Sequence, residues 1–599
     1  MNGKRMLLCM LLAAFLLTLM PYTPALADDA VPRSTIRYDG NGGASEAFGA
    51  YYDARVTGAH LRENTLLGTS YFRRDGYVLT GWNTAPDGSG THIGLGSRVT
   101  YKEGMILYAE WAKAADESLF TFSDGTILLY SGTENTVIIP EAIGGEPVKT
   151  ISSGVFENLS LRTVVLPPSL ETVMNGAFSG CTIETLTLFD RIKTVSDASF
   201  LNCTIRTLRI NAARQPVYSG SYYDTFSDKY DYLLSLADDQ KLVLFSGSSG
   251  RYGYDSPAIE AAIPDYRVVN MGVYAYTNAL PQYELIRSQL HTGDILLVAP
   301  EFDAVAEQFC TTNRLDAGFW AMTESNYDVV SALDLTLYAD VFDSFAVYQK
   351  TRGGMASKSY SESPFAYDDD GNRYSFATYN AQGDFILPRP NSERDELHRH
   401  NIADYTTETV TPEAVDALNR ELRSIAADGI TVLFTYAPRN RSSLTGRSTK
   451  AARNEIHRLL CERLSVPVIS ELEDLLYSGV YFWNIDNHLS TEGVQIRTKQ
   501  IISDLSAQLQ IDGMNVTAQP KASFTLVKQS VPFLFGLAAL LVLLGGLKPR
   551  VRFLGYVGGF VWAAGAVLAL VTGASLSYVL LFTLGLLLVA AYGRKRGAA

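Results

Sequence analysis

The chain has 599 residues, a formal net charge of −13 at pH 7 and 19% charged residues. That acidic balance excludes the basic surface a nucleic-acid partner requires, and the length allows two to four domains. Beyond Cys9 the cysteines are Cys181, Cys203, Cys310 and Cys461, too few for a disulfide scaffold and without the spacing of a metal site.

Lys4 and Arg5 precede an apolar run from Met6 to Leu19, and Ala25-Leu26-Ala27 follows. A basic start, an apolar stretch and a small-x-small site predict a secretory signal over 1–27, cut after Ala27. Left uncut, the same stretch reads as a membrane anchor. At the other end, Val531–Leu547, Phe553–Val571 and Leu576–Ala591 are apolar runs. Each is near the ~20 residues needed to cross a hydrocarbon core ~30 Å thick. Lys548, Arg550 and Arg552 follow the first run, and Arg594-Lys595-Arg596 follow the third. The positive-inside rule then predicts three transmembrane helices over 531–592, a cytoplasmic C-terminus and an extracellular remainder.

Between these ends, residues 34–112 open on "IRYDGNGG", pass through "GYVLTGWNTAPDGSG" and close on "LYAEW". Alternating apolar residues bounded by Asp-Gly, Asn-Gly and Gly-Gly predict short strands with tight turns. Trp82 and Trp111 are the large groups available to fill so small a core. The stretch resembles the Listeria–Bacteroides repeat. That resemblance implies an extracellular β-grasp-like module acting as a spacer or contact surface.

Residues 119–212 repeat themselves. Phe156, Phe178 and Phe200 are 22 apart, as are Ile151, Val173 and Val195, and Val164, Leu186 and Leu208. A single such unit cannot bury its apolar side, so the units must stack into a solenoid. Cys181 and Cys203 fall at one repeat position and read as small buried groups. The pattern resembles the BspA-type leucine-rich repeat, which implies a surface that binds protein or glycan, often in adhesion.

Residues 225–512 alternate apolar runs with helix-length segments. The runs are "KLVLFSG" (241–247), "YRVVNMG" (266–272), "GDILLVAP" (293–300), "GITVLFTYAP" (429–438) and "SVPVIS" (465–470). Near-continuous Val/Ile/Leu strands predict a parallel sheet covered on both faces, an α/β doubly wound domain. Ligands of such sheets sit outside the carboxyl ends of the strands. Those ends carry Gly247-Ser248-Ser249, then Asn270, Met271 and Gly272, then Pro300-Glu301. Near the domain's end stands "DNHLSTEG", with Asp486 two places before His488. Taken alone, a Ser-Ser after a strand is a helix cap and an Asp-x-His is a surface pair.

In this order the segments resemble the SGNH (GDSL-like) hydrolase superfamily, through "GSS", "VVNMG" and "DNHLSTEG". "LVLFSGSSGRYG" with "VVNMGV" is similar to a branch linked to acylation of bacterial surface polymers. The resemblance implies a nucleophile at Ser249, a base at His488 oriented by Asp486, and an oxyanion amide at Gly272. Asn270 stands in for the family's oxyanion asparagine, because Glu301 occupies that residue's expected place after the third strand. No cofactor and no metal are implied.

The reading is of a multidomain bacterial surface protein, Gram-positive by its module types, held in the lipid bilayer. It is expected to be an esterase or O-acyltransferase acting on acylated cell-envelope polysaccharide, with the extra spans docking a membrane acyl-donor protein. The alternative is an adhesion or scaffold protein that binds a surface partner and whose SGNH-like domain is non-catalytic.

Overall fold

In a computed structural model the described residues are 34–510, apart from 57–61, 65–71, 101–103, 215, 219–222, 274–276, 302–312, 353–378 and 393–401. The predicted signal (1–27) and the three predicted spans (531–592) lie outside the described residues. Among the described residues no helix is long and apolar enough to cross a membrane.

Turn chemistry shapes the first module. Asn41 takes a positive φ of 44° in "DGNGG", a conformation Asn tolerates better than most side chains. The sheet runs Tyr51–Val56, Ser34–Asp39, Ile106–Lys113, Tyr77–Asn83, His92–Ile93. Ser34–Asp39 pairs in parallel with Ile106–Lys113, and the other neighbours are antiparallel. Trp82 is buried with Tyr38 and Phe72 edge-on to it, at centroid distances of 4.8 and 5.9 Å. Trp111 is only half-buried, and its indole N–H donates to the Gly40 carbonyl at 2.8 Å.

The 22-residue period builds the solenoid. One parallel ladder joins Thr126–Tyr130, Thr150–Ile151 and Thr172–Val173, and a bridge extends it to Thr194. The other joins Thr136–Ile138, Ser160–Val165, Thr182–Phe189 and Thr204–Asn211. Equal spacing places equal residues in register, so Phe156, Phe178 and Phe200 stack at 4.8 and 5.1 Å. Such offset pairs add about 0.5–1.5 kcal/mol each beyond the area they bury. Cys181 is buried and donates its thiol to the Phe156 carbonyl. It is free, as are Cys203 and Cys461.

The third module is built on a parallel sheet of β1 (Lys241–Ser246), β2 (Arg267–Asn270), β3 (Ile295–Ala299) and β4 (Thr431–Phe434), in the order β2-β1-β3-β4. A parallel bridge from Phe434 to Val468 brings the predicted fifth run alongside β4, as a bridge rather than a strand. The helices that matter here are α1 (Thr225–Ser235), α2 (Ser248–Arg251), α3 (Ser256–Ala262), α4 (Ala279–Arg287), α5 (Val341–Thr351), α6 (Pro412–Ala426) and α7 (Thr491–Leu509). Strand alternation sends Leu242, Leu244, Leu297 and Leu433 to one face, where Ile259 of α3 and Ile501 and Leu505 of α7 cover them. It sends Val243, Phe245, Val298 and Phe434 to the other, under α4 and α6. Both faces are therefore buried, which is why these strands are apolar without interruption.

The modules are not free beads. Ile138, Val165 and Phe189 of the solenoid belong to the first module's core. Asn211 accepts from the Leu95 amide at 3.0 Å and donates to the Thr80 carbonyl at 3.0 Å. At the solenoid's last rung, Phe200 stacks on Phe342 of α5 at 4.2 Å. The Asp197 carboxylate accepts the Phe342 and Asp343 amides, each at 3.2 Å. Burial pushes that carboxyl up to about 6. Arg98 of the first module has a buried guanidinium among Asp224, Asp228 and Asp231, the last two on α1. One apolar core runs through the solenoid into the third module.

Candidate active site

β1 ends at Ser246, and Gly247 turns the chain into the short helix α2. Consecutive helical residues point about 100° apart, so Ser248 and Ser249 cannot face the same crevice. Ser248 faces it: its hydroxyl lies 2.8 Å from His488 Nε2. Ser249, the expected nucleophile, is fully buried, and its hydroxyl has no hydrogen-bond partner among the described residues. The geometry thus moves the serine that meets the imidazole by one residue. The turn is tight because Gly250 crosses Ser246 so closely that a Cβ would collide with the serine hydroxyl.

His488 sits in a narrow hairpin closed by pairing of Phe482 with Leu489. Inside it the Trp483 amide donates to the His488 carbonyl at 2.9 Å, and the His488 amide to the Ile485 carbonyl at 3.2 Å. This winding brings residues 484 and 488 to one side. Asn484 Oδ1 lies 2.9 Å from His488 Nδ1. The proton then belongs on Nδ1, and Nε2 is left basic toward Ser248. Asp486, the expected orienting carboxylate, turns the other way. It accepts from Asn440 Nδ2 at 2.7 Å and, through its carbonyl, from the Asn440 amide at 2.8 Å. It fixes the hairpin to its neighbour rather than the imidazole to its tautomer.

Electrostatics keep that imidazole neutral. Burial, then the guanidiniums of Arg251 and Arg389, push His488 well below the ordinary histidine range. Tyr252 covers the ring at a centroid distance of 4.3 Å. Arg389 ties the two halves of the site together. It donates to the Leu489 carbonyl beside His488 at 2.9 Å and to the Tyr252 carbonyl after the Ser248 turn at 3.4 Å. Ser248 and His488 are each 8% exposed, so the pair is almost wholly covered.

The expected oxyanion donors are occupied. The Gly272 amide donates to Asn270 Oδ1 at 2.8 Å. Asn270 Nδ2 donates to the Gly250 carbonyl at 3.0 Å and to Asp384 at 2.8 Å. Gly272 must be a glycine because a Cβ there would strike the Arg251 amide. Beneath it, Lys229 donates to the Gly272 carbonyl. Burial and the neighbouring Arg251 hold that amine well below its usual range. Asp384 gathers Ser256, Asn270 and Asn380, and burial raises its carboxyl. Glu301, after β3, accepts the Ser249 amide at 2.6 Å and Asn487 Nδ2 at 2.8 Å. Among the described residues no group of three or more His, Cys, Asp or Glu is placed to hold a metal ion.

Sequence reasoning missed Ser248, Asn484, Asn487 and Arg389. Ser248 and Asn487 sit beside or between the residues it named, Asn484 stands two places before Asp486, and a hairpin closing on Phe482 and Leu489 was the signal that would have paired 484 with 488.

Residues 35–110 match the model of the Listeria-Bacteroides repeat domain. Residues 148–229 match the BspA type leucine rich repeat region, in six copies, so the match starts inside the solenoid and runs into α1. A search of curated proteins finds no match to the chain. On these matches the chain carries Listeria-Bacteroides and BspA-type leucine-rich repeats, modules typical of surface and adhesion proteins.

Proposed function

We propose that the chain is a membrane-tethered cell-surface protein whose third module is an SGNH-like serine esterase or O-acyltransferase acting on acylated cell-envelope polymers. The observation that carries this reading is the hydrogen bond between Ser248 Oγ and His488 Nε2, formed across 240 residues at the carboxyl end of β1. A serine hydroxyl becomes a nucleophile when a base accepts its proton. A neutral imidazole with Nδ1 held by Asn484 is such a base. The strand order supports the same reading, because β2-β1-β3-β4 reverses direction between β1 and β3. That reversal is where doubly wound sheets bind ligands. Ser248 leaves the first of those strands and Glu301 the second.

In acyl transfer, Ser248 Oγ attacks the acyl carbon while its proton moves to His488 Nε2. The tetrahedral intermediate collapses, the leaving alkoxide takes that proton, and the acyl group stays on Ser248. Water then makes the protein an esterase, and a polymer hydroxyl makes it a transferase. The test is hydrolysis of p-nitrophenyl acetate by the full chain and release of acetate from O-acetylated wall polysaccharide. Ser248→Ala is expected to abolish both, and equal rates in the two proteins would end the reading.

A second reading is adhesion. It is favoured by the two repeat families and by the occupied oxyanion donors Gly272 and Asn270. On that reading the repeats bind a surface protein or polymer and the third module is a scaffold. Glycan-array binding by the Ser248→Ala full chain, without ester turnover by the wild type, selects it. The whole chain is needed because Phe342 seals the solenoid's last rung.

A further inference from the structure

Two N–H groups converge on one anion beside the serine. The Ser249 amide reaches Glu301 Oε1 at 2.6 Å, and Asn487 Nδ2 reaches Glu301 Oε2 at 2.8 Å. Each donor is adjacent in sequence to a member of the hydrogen-bonded pair: Ser249 follows Ser248, and Asn487 precedes His488. Glu301 is only 5% exposed, so these charge-assisted bonds are made out of water, where they are strongest. Preorganised N–H groups aimed at an oxygen that gains charge are what a tetrahedral intermediate needs. In other hydrolase architectures the amide following the nucleophilic serine supplies one of them. The alternatives are spent, since Gly272 and Asn270 already have partners within the protein.

We propose that the Ser249 amide and Asn487 Nδ2 form the oxyanion pocket of Ser248, and that the Glu301 carboxylate fills it in the resting protein. The proposal rests on reading Ser248 and His488 as an acyl-transfer pair. An ester carbonyl oxygen takes the place of the carboxylate between the two donors. As Ser248 Oγ bonds to the acyl carbon, the carbonyl electron pair moves to that oxygen, and the proton goes to His488 Nε2. When the leaving alkoxide departs with that proton, the carbonyl re-forms and Glu301 returns. Glu301 is then a gate whose displacement precedes chemistry, and Asn487 is a donor that acts only after displacement. The gate sits at the strand reversal that holds the site, so substrate entry and pocket opening are one event.

The experiment uses the full chain in detergent micelles. It reads the rate of fluorophosphonate labelling, with the labelled residue mapped by mass spectrometry, alongside p-nitrophenyl acetate hydrolysis. Glu301→Ala is expected to raise both rates by about 10-fold or more, and adding Asn487→Ala to lower them by ~10²–10³. Glu301→Gln keeps the side chain's shape and is expected to raise the rates by a smaller factor, which covers the case in which the alanine variant misfolds. Labelling of Ser248 in the wild type with rates in both Glu301 variants at or below the wild-type value overturns the gate alone. No effect of Asn487→Ala in the Glu301→Ala protein overturns the pocket. No labelling of Ser248 in any of these proteins removes the acyl-transfer reading and this proposal together.

Discussion

The solenoid and the third module solve opposite problems. In the solenoid the core positions recur every 22 residues, and Phe156, Phe178 and Phe200 carry the same information three times. In the third module the site depends on one contact between residues 248 and 488, and a displacement of one position changes which hydroxyl takes part. Redundancy tolerates error, whereas a single long-range contact does not. The difference should therefore appear as graded stability losses in the first region and all-or-none activity losses in the second.

The largest expected effect tests the second half of that contrast. Ser248→Ala should lower kcat/KM for a chromogenic ester by ~10⁴–10⁶. Ser249→Ala should stay within about 3-fold of wild type and should not lower thermal stability, because the hydroxyl it removes is buried and has no partner among the described residues. Steady-state kinetics and a melting curve on each variant decide it, and the reverse ranking would restore Ser249 as the nucleophile.

Next come the stability losses. Phe178→Ala removes the middle ring of the stack and should cost about 3–5 kcal/mol. Arg98→Ala should cost a similar ~3–5 kcal/mol, because it leaves the buried Asp224 carboxylate and the half-buried Asp228 of α1 without their cation. Denaturant titration of the two proteins reads both, and a second transition appearing only in Arg98→Ala would mark release of the first module. A smaller kinetic effect belongs to Asn484. Asn484→Ala frees the ring to rotate and should reduce kcat/KM about 10²-fold at constant KM.

The smallest effect is on acid stability. His488 is held neutral in the fold, so its folded pKa lies below the unfolded one. Below pH ~6.5 the unfolded chain takes up a proton that the folded chain refuses. Stability is therefore fully present above that pH and falls as pH drops through it, by up to about 1.4 kcal/mol per pH unit from this group. His488→Gln should flatten that part of a melting-temperature series from pH 7 to pH 5. An unchanged slope would show that the imidazole is not kept neutral.

What the sequence revealed follows the same division. The repeat register was legible because one residue type recurs at one position, and the parallel sheet because strands buried on both faces leave uninterrupted apolar runs. The site was legible to the nearest turn. Ser248, His488 and Glu301 stand at the strand ends and loop where the resemblance placed the chemistry, yet alternation along β1 cannot say which of two serines opens the helix toward the crevice. Asp486 and Asn484 were indistinguishable for a related reason. A carboxylate was expected near the base, but the winding from Trp483 to His488 selects the residue four places back. Nothing local in Arg389 announces that it spans Tyr252 and Leu489, since both partners are about 100 residues or more away.

The stacking of Phe200 on Phe342 sets an order of assembly. The last solenoid strand, Thr204–Asn211, is made well before the turns at Tyr327–Ala332 and Leu335–Leu337 that pack on it, and before α5, whose Phe342 covers the Phe200 ring. An uncovered parallel edge is a template for pairing with another chain. A nascent or truncated chain ending before residue 327 should thus be the form most prone to associate with its own kind.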